Sequence, residues 1–207
     1  MKTNFLKYSI LAFFSLTLFV SCVGENDYDL PNYKKTVFSE DFEKYPYGNE
    51  VPVNIEGWVN VNLTGSRVWA VKQFSSNKFA EFSSFYSTTS EDDEAWLITP
   101  DIELETAENT FNFATQARFH NTDNLSVLVS HDYDGTVEGI STATWQPISA
   151  YIAKSADSNN DKFMSSGFID FTEFNNSTIR IAFKYVGSKQ ANKTTTYQLD
   201  NITIFEK

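Results

Sequence analysis

Only two side chains in the 207-residue chain, His120 and His131, titrate near neutrality without help from their surroundings. Neither stands in a GxSxG, an HExxH or a glycine-rich phosphate loop, so no nucleophile or metal is set beside a base by spacing alone. A single cysteine, Cys22, excludes a zinc site built from several thiolates. The 27 Asp and Glu residues guarantee chance carboxylate pairs, but nothing in their order faces two of them across a glycosidic bond. The chemistry on offer is therefore binding rather than catalysis. Carboxylates stand out in two places: the segment SEDFE (39–43) and Asp200, which interrupts the apolar run YQLDNITIF (197–205). Glu91-Asp92-Asp93-Glu94 is a third acidic run, of the kind that is mostly solvated. For stacking on a ligand, Trp69 and Tyr133 are the aromatic candidates, near predicted strand ends and turns.

Composition narrows the partners. A formal charge of -11 is the wrong sign for nucleic acid and for electrostatic docking on anionic lipid. Membrane attachment is expected from the N-terminus instead. Lys2 and Lys7 flank an apolar stretch, Tyr8 to Val20, that is shorter than the ~20 residues needed to cross a bilayer. The sequence LFVSC (18–22) that follows resembles a bacterial lipobox, in which the cysteine is acylated after cleavage in front of it. An ordinary signal peptide with a chance cysteine is the alternative. Residues 1–21 are thus expected to be a lipoprotein signal peptide, with lipidated Cys22 opening a tether over 22–35. Glu25, Asp27 and Asp29 resemble an export signal to the outer face of the outer membrane; the alternatives are the periplasmic leaflet and a plain solvated linker.

The elements that must position these residues are strands. With Phe 19, Tyr 10 and Trp 4, the chain can bury a large core, and Thr, Ser, Asn, Val and Ile favour β structure. Strands are predicted at 36–43, 67–74, 78–85, 94–99, 110–119, 125–131, 144–148, 167–171, 178–186 and 196–205. Alternation puts Phe111, Phe113, Thr115, Ala117 and Phe119 on one face, and Ile179, Ile181, Phe183 and Tyr185 on another. No segment shows a ten-residue helical pattern. About ten short strands with turns between them imply an all-β jelly-roll β-sandwich over 36–207.

In order along the chain come VFSEDFE (37–43), GW (57–58), NKFAEFSSF (77–85), EAWLITPDIEL (94–104), LSVLVSHDYDG (125–135), ATW (143–145), SSGFIDFTEF (165–174), IRIAFKYVGS (179–188) and TTTYQLDNITI (194–204). This ordered set resembles the choice-of-anchor J domain of bacterial surface lipoproteins, and more distantly the cleaved-adhesin and MAM-type jelly rolls. His131 and Phe171 depart from the usual pattern, without consequence for the fold. The resemblance implies two antiparallel sheets with adjacent first and last strands, Trp58 and Trp96 in the core, and no catalytic activity.

Adjacent chain ends would crowd Glu40, Asp41 and Glu43 against Asp200, which raises carboxyl pKa values or costs stability unless a cation joins them. Calcium, with six to eight oxygen ligands, suits such a place. Related jelly rolls bridge an early Glu and a late Asp with calcium, which here implies Glu43 and Asp200, with Asp41, Glu40 and Asn201 less firmly placed. In the alternative without metal, Asp200 accepts backbone N–H bonds at a bulge. The expected function is a lipid-anchored surface recognition or adhesion module for a glycan or protein ligand. A structural subunit of an outer-membrane complex is the alternative, and a hydrolase a remote one.

Overall fold

The computed structural model describes residues 34–105, 108–155, 157 and 162–206. The signal peptide, Cys22 and the acidic tether lie outside the described residues. From Lys34 onward the chain is one compact unit, built as two antiparallel sheets. The first sheet runs β10 (Met164–Ser165), β7 (Asn109–Arg118), β13 (Thr196–Glu206), β4 (Asn77–Phe82), β3 (Ala70–Phe74), with β1 (Thr36–Glu40) on β13 and β11 (Ile169–Asp170) on β7. The second runs β2 (Val59–Thr64), β5 (Asp93–Ile98), β12 (Ser177–Gly187), β8 (Leu125–Ser130), β9 (Gln146–Pro147), with β6 (Ile102–Leu104) on β12. Three one-turn 3-10 helices, Ser84–Tyr86, Glu138–Ser141 and Thr172–Phe174, interrupt the loops.

Alternation explains the packing. Phe111, Phe113 and Ala117 of β7, Ile179, Ile181, Phe183 and Tyr185 of β12, and Tyr197 and Leu199 of β13 all point between the sheets. Phe113 meets Phe183 edge-on at 5.5 Å across the interlayer, which fixes the two sheets against each other. Phe171 is fully buried, its ring 4.8 Å from Phe111 and 4.9 Å from Phe174.

The expected jelly-roll sandwich is what forms, with differences in detail. Strands β2, β6 and β10 escape the sequence pattern because they are short or Asn-rich; in β2 only Val59, Val61 and Leu63 alternate with asparagine. The run through Phe119 breaks at the end of β7. There Phe119 takes φ +52 and turns out into solvent rather than continuing the core face. The predicted strand 36–43 stops at Glu40, because Phe42 adopts φ +58 and drops its ring into the core. Asp41 and Glu43 therefore sit on a turn, not on one face of a strand.

Candidate functional site

Strand β13 lies at the centre of the first sheet, and the first strand does lie against the last. β1 pairs with residues 202–205 of β13, β4 pairs with 197–199 on the same side, and β7 runs along the other side. Between β4 and β1, Asp200 and Asn201 have no strand on that side, while on the other Asp200 still pairs with Ala114 of β7. Asn201 adopts φ +51 and the register with β7 shifts here, so a bulge sits where the sheet changes partners.

Asp200 is buried in this notch. Its Oδ2 accepts from Asn77 Nδ2 at 2.9 Å, and its Oδ1 from the Asn201 N–H at 2.7 Å. Burial pushes its carboxyl up to about 6 against these two bonds, with further upward pressure from Glu43 and Asp41. The four predicted ligands thus come into one neighbourhood, with each carboxylate already engaged. Glu40 caps the turn, accepting from Phe42 N at 2.6 Å and from Tyr45 Oη at 3.2 Å. Asp41 accepts from Glu43 N at 3.2 Å. Glu43 accepts from Lys78 N at 2.9 Å. The Lys78 ammonium donates to the carbonyls of Glu43 and Tyr45, at 2.8 and 2.9 Å. Among the described residues, no group of three or more His, Cys, Asp or Glu is gathered as a metal ion would need. A calcium ion would have to draw these carboxylates out of their present bonds.

The aromatic candidates are corrected by the packing. Trp69 is fully buried in the main core, against Phe82, and its backbone is clamped on both sides by the amide of Asn60. Tyr133 is buried in a second cluster with Trp96, Ile98, Ile140 and Ala182. Neither offers a ring face to a ligand. Trp96 is buried as expected, but in this outer cluster rather than between the sheets. His120 pairs with Asp123 at 2.8 Å, and the ring of His131 lies beside Phe174, so neither stands beside a nucleophile. In the acidic run, Glu91 and Asp92 are solvated, whereas Asp93 turns inward to accept from Ser87 Oγ at 3.1 Å.

One concave feature among the described residues lies on the outward face of β3-β4-β13-β7. Side chains alternate there with the core residues: Lys72 and Phe74, then Phe79 and Glu81, then Gln198 and Asp200, then Gln116 and Arg118. The strand registers align Glu81, Gln198 and Gln116 in one row across three strands. Gln198 Nε2 donates to Glu81 Oε2 at 2.8 Å. Glu81 and Gln198 line a trough of about 490 Å³, whose walls include Arg67, Lys72, Phe74 and Tyr86, and Gln116 lines the hollow beside it. A hollow of about 300 Å³ continues it past Phe163 to Asp200. The two share Phe74, Phe79, Arg118 and Gln198. Phe74 is 63% exposed at the rim, whereas Gln198 on the floor is 4% exposed. Burial lowers the pKa of Lys72, whose ammonium donates to the Asn49 carbonyl at 2.6 Å. A floor of amides beside exposed ring edges can hydrogen-bond hydroxyls and cover apolar C–H faces at once. The alternation of NFATQAR and YQLD already pointed these residues outward; their adjacency depends on strand order.

A family model described as Domain of unknown function (DUF5017) matches residues 59–206. The motif order points to the choice-of-anchor J domain and, more distantly, to cleaved-adhesin jelly rolls, and the second likeness reappears among the solved structures. No curated protein matches the chain. Among solved structures, the chain is similar to the K1 cleaved adhesin domain of Lys-gingipain from Porphyromonas gingivalis W83: 18% identity over 82% of this chain and 98% of that one, TM-score 0.50. It is also similar to the K2 cleaved adhesin domain of Lys-gingipain: 13% identity, 82% and 99% coverage, TM-score 0.52. A third likeness is to the CBM22-1 and GH10 modules of a Clostridium thermocellum endo-1,4-beta-D-xylanase, solved in complex with xylohexaose. There the identity is 12%, over 84% of this chain but 29% of that one, with TM-score 0.51. At such identities the likeness concerns the fold.

Proposed function

The chain belongs to the DUF5017 family, and from the trough on its first sheet we propose a non-catalytic recognition module that binds an oligosaccharide along that face. The observation that carries this reading is the in-register row Glu81–Gln198–Gln116, flanked by Phe74. A narrow polar trough with a ring at its rim suits a polyhydroxylated chain, whereas a protein-assembly face would be a broad apolar patch. Cleaved-adhesin domains and part of a CBM22-1 and GH10 xylanase chain solved with xylohexaose share the architecture, which supports the reading at the level of fold. Calorimetric titration against a panel of soluble polysaccharides tests it. Binding should appear for at least one, and Gln198→Ala should weaken it at least tenfold. No binding across the panel, or equal affinity in Gln198→Ala, overturns it.

Two further parts of the proposal concern attachment and closure. Cys22 carries the lipid that holds the module on the outer membrane, facing outward; metabolic labelling with a fatty acid that persists in Cys22→Ser would defeat this. Asp200, Glu43 and Asp41, with Glu40, would be the residues to hold a calcium ion at the chain ends, after release from the bonds they now make. It supplies there the positive charge that the mutual pressure of these acids calls for. Millimolar calcium should then raise the Tm by a few degrees in the parent protein and not in Glu43→Gln; an unchanged Tm refutes it.

A further inference from the structure

At one end of the sandwich, beyond the trough, three exposed rings converge: Phe85 (58% exposed), Tyr86 (52%) and Phe119 (77%). Phe85 and Tyr86 meet edge to face at 5.2 Å on the one-turn helix that follows β4. Phe119 is held outward by its left-handed backbone, a conformation that costs a bulky residue free energy and persists only where its surroundings impose it. With Asn121, Asn192 and Thr194 the rings enclose a hollow of about 360 Å³. That volume lies within the ~300–1,000 Å³ range of small-molecule sites.

The floor of the hollow is rigid. Asn121 Oδ1 accepts from Thr194 N at 2.9 Å, while Asn121 Nδ2 donates to Thr194 Oγ1 at 3.0 Å. Ser83 Oγ donates to the Thr194 carbonyl at 3.0 Å, and the buried Tyr185 hydroxyl donates to the Thr195 carbonyl at 2.8 Å. Loops from four places in the chain are thereby locked into one shape, which lowers the ordering cost of binding.

We propose that this hollow is a second ligand site, which takes a single uncharged pyranose ring. Its lining separates it from the trough: Arg67, Lys72, Arg118, Glu50 and Glu81 border the trough, whereas every side chain lining the hollow is uncharged. A cation would lose hydration there without a counter-charge, with Arg118 5.8 Å from the Phe119 ring. A purely apolar side chain would cover the Asn and Thr groups and leave them without water. A sugar satisfies both demands, with its C–H face on the rings and its hydroxyls on the amides. Tyr86 borders both sites, with Arg67 5.5 Å from its ring. The hollow and the trough can nevertheless bind independently.

The test is an NMR titration of the 15N-labelled protein with the methyl pyranosides of glucose, galactose, mannose and xylose. At least one should move the Asn121, Asn192 and Thr194 amide signals. Phe119→Ala and Phe85→Ala should each weaken that binding at least tenfold with unchanged Tm, and Phe74→Ala should leave it intact. No shift with any of the four sugars, or full affinity in both ring variants, overturns the site. Loss of trough binding in Phe74→Ala with pyranoside binding retained separates this site from the trough.

Discussion

The two sheets treat their outward faces in opposite ways. On the second sheet, Trp96, Ile98 and Ala182 are roofed by the 132–145 segment. The Trp145 ring lies 5.1 Å from Trp96 and 5.2 Å from Tyr133, making a second apolar layer outside the main core. Lys184 closes its edge, 4.8 Å over Trp96 and paired with Glu94 at 2.9 Å. On the first sheet, among the described residues, Phe163 packs on the outward ring of Phe79, while the neighbouring outward positions carry Lys72, Phe74, Glu81, Gln198 and Arg118. A face covered by its own chain contributes stability, and a face left concave and polar is available to a ligand. Aromatic content alone does not tell these apart: the tryptophan-rich face is the sealed one.

This contrast can be broken experimentally. Trp96→Ala should destabilise the domain by about 3–5 kcal/mol, as removal of a buried large ring does, while the midpoint of oligosaccharide binding below the melting transition stays where it was. Denaturant unfolding and calorimetry together check this. A loss of binding with little loss of stability would move the site to the second sheet.

The next effect belongs to Asp200. Its folded-state pKa of about 6 is raised above the ordinary carboxylate value, so the folded form holds its proton longer than the unfolded one. Its contribution to stability is therefore fully present below about pH 4 and falls as pH rises through about 6, by as much as roughly 3 kcal/mol. In calcium-free buffer Asp200→Asn should flatten this slope and raise the Tm at pH 7.5. A parallel pH profile in the variant would refute the assignment.

Smaller still, Phe74→Ala should lower trough affinity about five- to tenfold and shift stability by less than about 0.5 kcal/mol, since the ring lies mainly in solvent. The smallest change is expected at Tyr133, whose buried hydroxyl has no hydrogen-bond partner among the described residues. Tyr133→Phe should leave the protein as stable as before or more stable by about 1 kcal/mol. A clear destabilisation would reveal a polar role for that hydroxyl.

Much of the sandwich was legible because a strand with one buried face writes its period of two into the sequence. Ile179 to Tyr185 and Phe111 to Ala117 show this plainly. Legibility failed where the backbone left that period. Phe42 and Phe119 both take left-handed conformations: at Phe42 the strand ends early although the ring still reaches the core, and Phe119 appears on the side opposite to the one that counting assigns. Trp69 and Tyr133 were misplaced for another reason: each stands near a predicted turn, yet a distant segment covers it. Phe82 of β4 packs on the Trp69 ring, and Trp145 roofs Tyr133.

Within the regular strands the sequence by itself determined which side chains share a face, because successive side chains of a strand point to opposite sides. It also concentrated acids at residue 200 and at 40–43. Only the tertiary structure decided that Glu81, Gln198 and Gln116 form one floor, since Gln198 and its partner Glu81 lie 117 residues apart. Strand order, not local pattern, joins such positions, and it is set by how the whole core closes.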